Sequence, residues 1–218
     1  SEIKAVLASG LVMPRAHDRT VAEFLVDGRL DQTEQTFYEG ILQIPAAHSF
    51  EVDRSGRYRH WPHWSIAPTG QTPREPASAF GDLFEDAVRL HMRSDVPVAV
   101  HLSGGLDSTA IICAADRVRK AAGASSAMTV FCYEDPQYDE RQYIEATLAQ
   151  TGATKVGLVS SPQQLWASLP RVLRAQDEPF HSMVAVVSYD LMRLTAQHGI
   201  KVVLNGQGAD ETLAGYGS

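Results

Sequence analysis

From residue 77 onward the sequence alternates between short runs of apolar and β-branched residues and longer amphipathic stretches. A chain with that rhythm has few folds open to it. The runs cover 97–102, 128–133, 155–159 and 201–204. They are apolar nearly throughout rather than at every second position, the pattern of strands covered on both faces. Around them the periodicity predicts helices over 77–93, 107–122, 140–150, 163–175 and 184–198, with Gly123, Gly152 and Gly199 as stops. The first of these puts Phe80, Leu83, Phe84, Ala87, Val88 and Met92 on one face. Alternating strands and helices predict an α/β domain with a three-layer, Rossmann-like parallel sheet. Ligands of such sheets sit beyond the carboxyl ends of the strands.

The residues before 65 read differently. Short helices are expected over 3–7 and 20–26, the second capped by Asp18 and stopped by Gly28, and a third helix over 36–44 from the spacing of Phe37, Ile41 and Ile44. Two short strands, 49–52 and 58–61, flank a turn at 53–56. Residues 65–76 carry Pro68, Pro73 and Pro76 among polar residues and read as a linker. The expected organisation is therefore 1–64, a linker at 65–76, and an α/β domain over 77–218.

Charge and cysteine content narrow the function. Nineteen Lys and Arg against 26 Asp and Glu give a formal net charge of -7, which argues against a general nucleic-acid or anionic-membrane binder. The two cysteines, Cys113 and Cys132, have no metal-ligand spacing. No apolar run approaches the roughly 18 residues of a membrane span, and no stretch reads as a signal peptide, so the expected location is the cytoplasm.

Two loops at strand ends carry the chemistry. The first is Ser103-Gly104-Gly105-Leu106-Asp107-Ser108. Its glycines let backbone approach an anion closely, the following helix start offers unpaired amides, and Ser103 and Ser108 add hydroxyl donors. Asp107 repels phosphate directly but suits a bridging Mg²⁺. Without a lysine the loop is not a Walker A motif. The second loop, Asn205-Gly206-Gln207-Gly208-Ala209-Asp210-Glu211, follows the last strand and offers Asp210 as a second Mg²⁺ ligand. A tight turn with first-turn helix acids would explain either loop alone; their pairing in one domain favours a polyphosphate site.

The string SGGLDS resembles the pyrophosphate loop of the ATP-pyrophosphatase superfamily, and LNGQGADETLAGY resembles the second signature of glutamine-hydrolysing (class II) asparagine synthetases. Asp177-Glu178-Pro179-Phe180 and Tyr138-Asp139-Glu140 are similar to further family segments, and residues 36–48 and 57–64 resemble the end of the family's glutaminase domain. The resemblance implies an adenine nucleotide alpha hydrolase-like sheet preceded by a remnant of an Ntn-type glutaminase domain. It implies ATP and Mg²⁺ as cofactors, aspartate and glutamine-derived ammonia as substrates, an aspartyl-adenylate intermediate, asparagine as product, and a homodimer when full length. By motif, Ser103, Gly104, Gly105, Asp107 and Ser108 would cradle pyrophosphate. Asp107 and Asp210 would hold Mg²⁺. Leu102, Cys132, Asn205 and Gly206 would line the adenosine pocket.

Gln207 joins Asp107 and Asp210 in the expected catalytic set. It stands where some relatives have Glu, and an amide orients by hydrogen bonds but cannot act as a base. The family's glutaminase begins with a cysteine nucleophile, whereas this sequence begins at Ser1 and both cysteines lie in the α/β half. The expectation is an internal fragment with little turnover alone. Rival readings are another acyl-adenylating enzyme (β-lactam synthetase-like or peptide-cyclising) and a non-catalytic nucleotide-binding protein. His60 and His63 around Pro62 make a poor metal pair, His101 reads as a hydrogen-bonded core residue, and Arg117, Arg119 and Lys120 read as a solvated helix face.

Overall fold

The computed structural model describes residues 2–66, 70, 73–134 and 140–215. Two compact units divide the chain: Thr72–Leu169 with Met183–Ser218, and Ser1–Gln71 with Pro170–Ser182.

The first of these units holds the parallel sheet. Its strands are β3 (Val98–His101), β4 (Thr129–Tyr133), β5 (Thr154–Leu158) and β6 (Val202–Leu204), in the spatial order β5-β4-β3-β6. Pairing is parallel throughout, with Val100 opposite Val130 and also opposite Leu204, and Phe131 opposite Val156. Helices α3 (Pro76–His91), α4 (Leu106–Ala121) and α5 (Arg141–Thr151) are joined by α7 (Val184–Gln197) and the short α8 (Ala209–Leu213). On one face Val88 of α3, Ile112, Ala114 and Ala115 of α4 and Ile144 of α5 bury Val100, Val130 and Cys132. On the other, Leu191 and Leu194 of α7 pack on Ala99 and Phe131. Both faces are thus covered, which is why the strands read as continuous apolar runs. Each fully buried Val, Leu or Phe contributes about 1.5–3 kcal/mol.

The strand order positions everything that follows. The chain moves outward from β3 through β4 to β5, then returns to place β6 on the other side of β3. The order therefore reverses between β3 and β6, and the loops leaving those two strands flank the crevice that such a reversal opens.

The helix bounds differ from expectation by a residue or two. The exception in packing is α3: Phe84 and Met92 pack against the core, while Phe80 and Leu83 are exposed. Arg117 pairs with Glu85, Lys120 with Asp116, and Arg119 bonds the Ser126 carbonyl, so that face of α4 is solvated and internally neutralised.

The other unit contains α1 (Ile3–Ala8), α2 (Asp18–Asp27) and an antiparallel hairpin of β1 (His48–Val52) and β2 (Tyr58–Pro62). Asp53 closes the hairpin turn, its Oδ1 accepting from the amides of Ser55 and Arg57. Two expectations are corrected here. The cap of α2 is His17, whose Nδ1 accepts from the Thr20 amide; Asp18 is the first helical residue. Residues 36–44 form no helix. Gly40 turns the chain at φ +77°, the Thr36 hydroxyl donates to the Ile41 carbonyl at 2.7 Å, and isolated bridges join Gln35 to Leu42 and Ala16 to Tyr38. Phe37 and Ile41 are still buried, but as the two flanks of a turn.

Residues 170–182 belong to this unit, and the boundary falls inside α6 (Pro162–Gln176) at Pro170. Asp177, at φ +64°, accepts from both the amide and the ammonium of Lys4. Its carbonyl accepts from the Tyr38 hydroxyl, and Glu178 accepts from the Phe37 amide at 2.7 Å. The two carboxylates of the Asp-Glu-Pro segment are therefore bonded within this unit. His60 stacks on Tyr58 in the exposed hairpin. No described helix is long and apolar enough to cross a membrane.

Candidate active site

The first loop is a self-contained hydrogen-bonded knot. The Ser108 hydroxyl donates to the Gly105 carbonyl at 3.2 Å and receives the Ser103 amide at 3.2 Å. Its one proton is then spent, so at the 3.0 Å Ser103–Ser108 contact the Ser103 hydroxyl is the donor. The Ser103 oxygen in turn accepts from the Gly105 amide at 3.3 Å. Both hydroxyls thus shape the loop. What remains is backbone. Gly105 is the N-cap of α4 and provides no side-chain cap, so the first-turn amides of that 16-residue helix have no helical partner. Such a terminus favours an anion.

Gly104 lets the knot close. Its φ is +89°, and a Cβ there would lie 3.0 Å from the Glu140 Cβ and 3.3 Å from the Glu140 carbonyl. A side chain there would be strained by the left-handed backbone and would crowd Glu140.

The second loop leaves β6 and meets the first. The Asn205 side chain accepts from the Gln207 amide at 3.2 Å, and Gly208 turns the chain at φ +96° into α8, with Asp210 and Glu211 in its first turn. Gly206 lies against Asp107: a Cβ at 206 would sit 3.0 Å from the Asp107 Cβ and 3.5 Å from the Ser108 amide nitrogen. The two strand-end loops therefore touch.

Between them opens a cleft of about 590 Å³. Its lining includes Leu102, Ser103, Gly105, Asp107 and Ser108 from the first loop, and Asn205, Gly206, Gln207 and Asp210 from the second. Gly104, within the first loop, is not among the lining residues. Cys132 is fully buried in the core under α4 and is not part of the lining. Burial pushes its thiol up to about 11, with Lys155 opposing and Glu134 and Glu145 adding slightly. Native protein treated with iodoacetamide at pH 8 should leave Cys132 unmodified by mass spectrometry, and unfolded protein should alkylate it fully; rapid native labelling would place the thiol at a surface.

Several lining residues carried no functional signal in the sequence. Val187, Ser188, Leu191 and Met192 form a wall on α7, and their types read as ordinary helix packing. His101, Tyr133, Glu140 and Glu211 also line the cleft. Glu140 was legible only as the end of the Tyr138-Asp139-Glu140 segment, of which Tyr138 and Asp139 lie outside the described residues.

The charges bear on what the cleft can hold. Asp107, Glu140, Asp210 and Glu211 give it four carboxylates, and its described lining has no Lys or Arg. Free triphosphate would be repelled at such a surface, whereas a divalent cation carried with the phosphates would be attracted. Among the described residues no three His, Cys, Asp or Glu gather into a ready-made metal site. Two carboxylates with the other positions left to phosphate and water is the usual arrangement for Mg²⁺. The residues present thus fit a magnesium–nucleotide complex.

The asparagine synthase family model matches residues 79–218. Over 62% of the chain it is 33% identical to asparagine synthetase [glutamine-hydrolyzing] 1 of Bacillus subtilis (strain 168), covering 21% of that protein. Over 99% of the chain it is 28% identical to asparagine synthetase [glutamine-hydrolyzing] 3 of the same organism, covering 37% of it. An equal 28% over 99% relates it to the amidase chyE of Penicillium rubens, covering 34% of that protein. The chain thus spans between about a fifth and just over a third of the length of these relatives. With the family match extending over the whole sheet and both cleft loops, the chain belongs to the asparagine synthase family.

Proposed function

We propose that this chain provides the carboxylate-activating site of a longer ATP-dependent amidotransferase, making asparagine from aspartate with ammonia drawn from glutamine. The observation that carries the reading is the meeting of two loops across the β3–β6 reversal, with Asp107 and Asp210 lining one cleft beside the uncapped start of α4.

On this reading the amides of the α4 first turn bind the pyrophosphate portion of ATP, and the knot of Ser103 and Ser108 holds them in place. Asp107 and Asp210 would hold Mg²⁺, which when bound neutralises charge on the phosphates. Leu102, Asn205 and Gly206 border the nucleoside, and Gln207 orients the substrate by its amide. The substrate carboxylate attacks the α-phosphorus, pyrophosphate leaves, and an acyl-adenylate forms for a nitrogen nucleophile to open. The protein's contribution is positioning and charge stabilisation. Residues 1–64 are read as the end of a glutaminase domain, a reading supported by the relatives that match over 99% of the chain.

The test is isotope exchange of pyrophosphate into ATP by the whole protein, with and without a carboxylate. Aspartate-stimulated, Mg²⁺-dependent exchange is expected. Nucleotide binding without exchange would favour a non-catalytic protein, and stimulation by a different carboxylate would keep the chemistry while replacing the substrate.

A further inference from the structure

The hydrogen bonds around His101 fix where its proton sits. The Thr195 hydroxyl donates to the Leu191 carbonyl one turn back at 2.8 Å, which spends its only proton. His101 Nε2 lies 3.1 Å from that same oxygen, so Nε2 must carry hydrogen and donate. Burial alone pushes the imidazole below its ordinary value of 6.5, so the ring is neutral at neutral pH. Nδ1 then bears a lone pair. The Thr195 contact occupies Nε2 and leaves Nδ1 for another partner. The open space that His101 borders is the cleft, and a molecule bound there is the partner open to Nδ1.

The neighbourhood selects what such a nitrogen can meet. A neutral acceptor among four carboxylates is unsuited to phosphate and well suited to a nitrogen bearing hydrogens. The anionic end of the nucleotide has its own place at the α4 amides. Gln207, which lines the same cleft, cannot accept a proton.

We propose that His101 Nδ1 is the base that takes the proton from the nitrogen attacking the activated carboxylate, an inference that rests on the acyl-activating reading above. The nitrogen lone pair forms the C–N bond, the bond from the acyl carbon to the AMP oxygen breaks, and AMP departs with that electron pair. The surplus proton on nitrogen moves to Nδ1. Nε2–H stays hydrogen-bonded to Thr195 throughout, so no tautomer change is needed. The lowered proton affinity that burial imposes keeps the imidazole in its base form before the attack, as accepting a proton requires.

The experiment measures two steps in the whole protein: carboxylate-dependent pyrophosphate–ATP exchange, and amide formation from ammonia. His101→Gln keeps a donor for Thr195 and an acceptor for the cleft but cannot hold a proton. Amide formation should fall by about 100-fold or more, against less than about fivefold in exchange. Thr195→Val removes the acceptor that fixes the tautomer and should reproduce the split at roughly a tenth of the size, a check that does not depend on the histidine variant folding. Equal losses in both steps, or none in amide formation, would overturn the role of His101. Absence of exchange in the unsubstituted protein would instead overturn the acyl-activating reading, and this step with it.

Discussion

Gly206→Val should lower carboxylate-stimulated pyrophosphate–ATP exchange by about 100-fold, a loss typical of an ångström-scale displacement of reacting groups, while the sheet remains folded. The reason is contact alone. Gly206 has no left-handed backbone to protect, since its φ is outside the positive range. A Cβ at this position would lie 3.0 Å from the Asp107 Cβ and 3.7 Å from the Asp107 carbonyl carbon, with the Ser108 nitrogen at 3.5 Å. These atoms belong to the first turn of α4 and cannot swing aside as the end of a long side chain can. The added bulk must be met by parting the two loops, and with them Asp107 and Asp210. Overpacking of this kind costs about 1–3 kcal/mol in stability, a modest loss that circular dichroism melts would register. Gly206→Ala should fall between wild type and valine. Normal exchange in a folded valine variant would mean that the loops can separate without consequence, and that a fixed spacing of the carboxylates is not needed.

What the sequence made legible follows from which interactions are local. Val98–His101 and Thr129–Tyr133 could be read as buried strands because coverage on both faces leaves an apolar mark on every residue. The two cleft loops could be read because glycines and carboxylates after a strand have few other uses. Residues 36–44 were misread because Phe37 and Ile41, four apart, satisfy a helix and a turn closed around Gly40 equally well. The choice is made by the Thr36 hydroxyl reaching the Ile41 carbonyl, which periodicity does not register. The bonds that Ser103 and Ser108 make within their own loop were not legible, because a hydroxyl in a loop has no visible partner until the loop is closed. The α7 wall of Val187, Ser188, Leu191 and Met192 was silent because packing residues and pocket residues on a helix are the same types. His101 was read as a hydrogen-bonded core residue, and its bond to Thr195 is there; it also borders the cleft because β3 ends at that residue. The grouping of 170–182 with the first 71 residues depends on contacts such as Asp177 with Lys4, 173 positions apart, which no local pattern can encode.

Asp107→Asn and Asp210→Asn should each reduce Mg²⁺-dependent exchange by about 100-fold or more, since a bound cation is worth several kcal/mol of charge stabilisation in phosphoryl chemistry, and the double variant should be little worse than either alone. Non-additivity is the informative part. Two carboxylates that hold one ion act as a unit, and removing the second from a site that has already lost its ion removes little more. Carboxylates serving separate purposes would instead show losses that multiply. Asparagine preserves the shape of each side chain, so the substitutions change charge with little change in packing. Folding should be nearly unaffected. Asp107 loses its favourable place at the start of α4, about 0.3–1 kcal/mol, and Asp210 likewise stands in the first turn of α8. Raising Mg²⁺ should recover part of the activity of either single variant by mass action, because one carboxylate still remains to hold the ion, and should recover least in the double variant. Full exchange by the double variant at ordinary Mg²⁺ would show that the metal, if the reaction uses one, is held elsewhere than between these two loops.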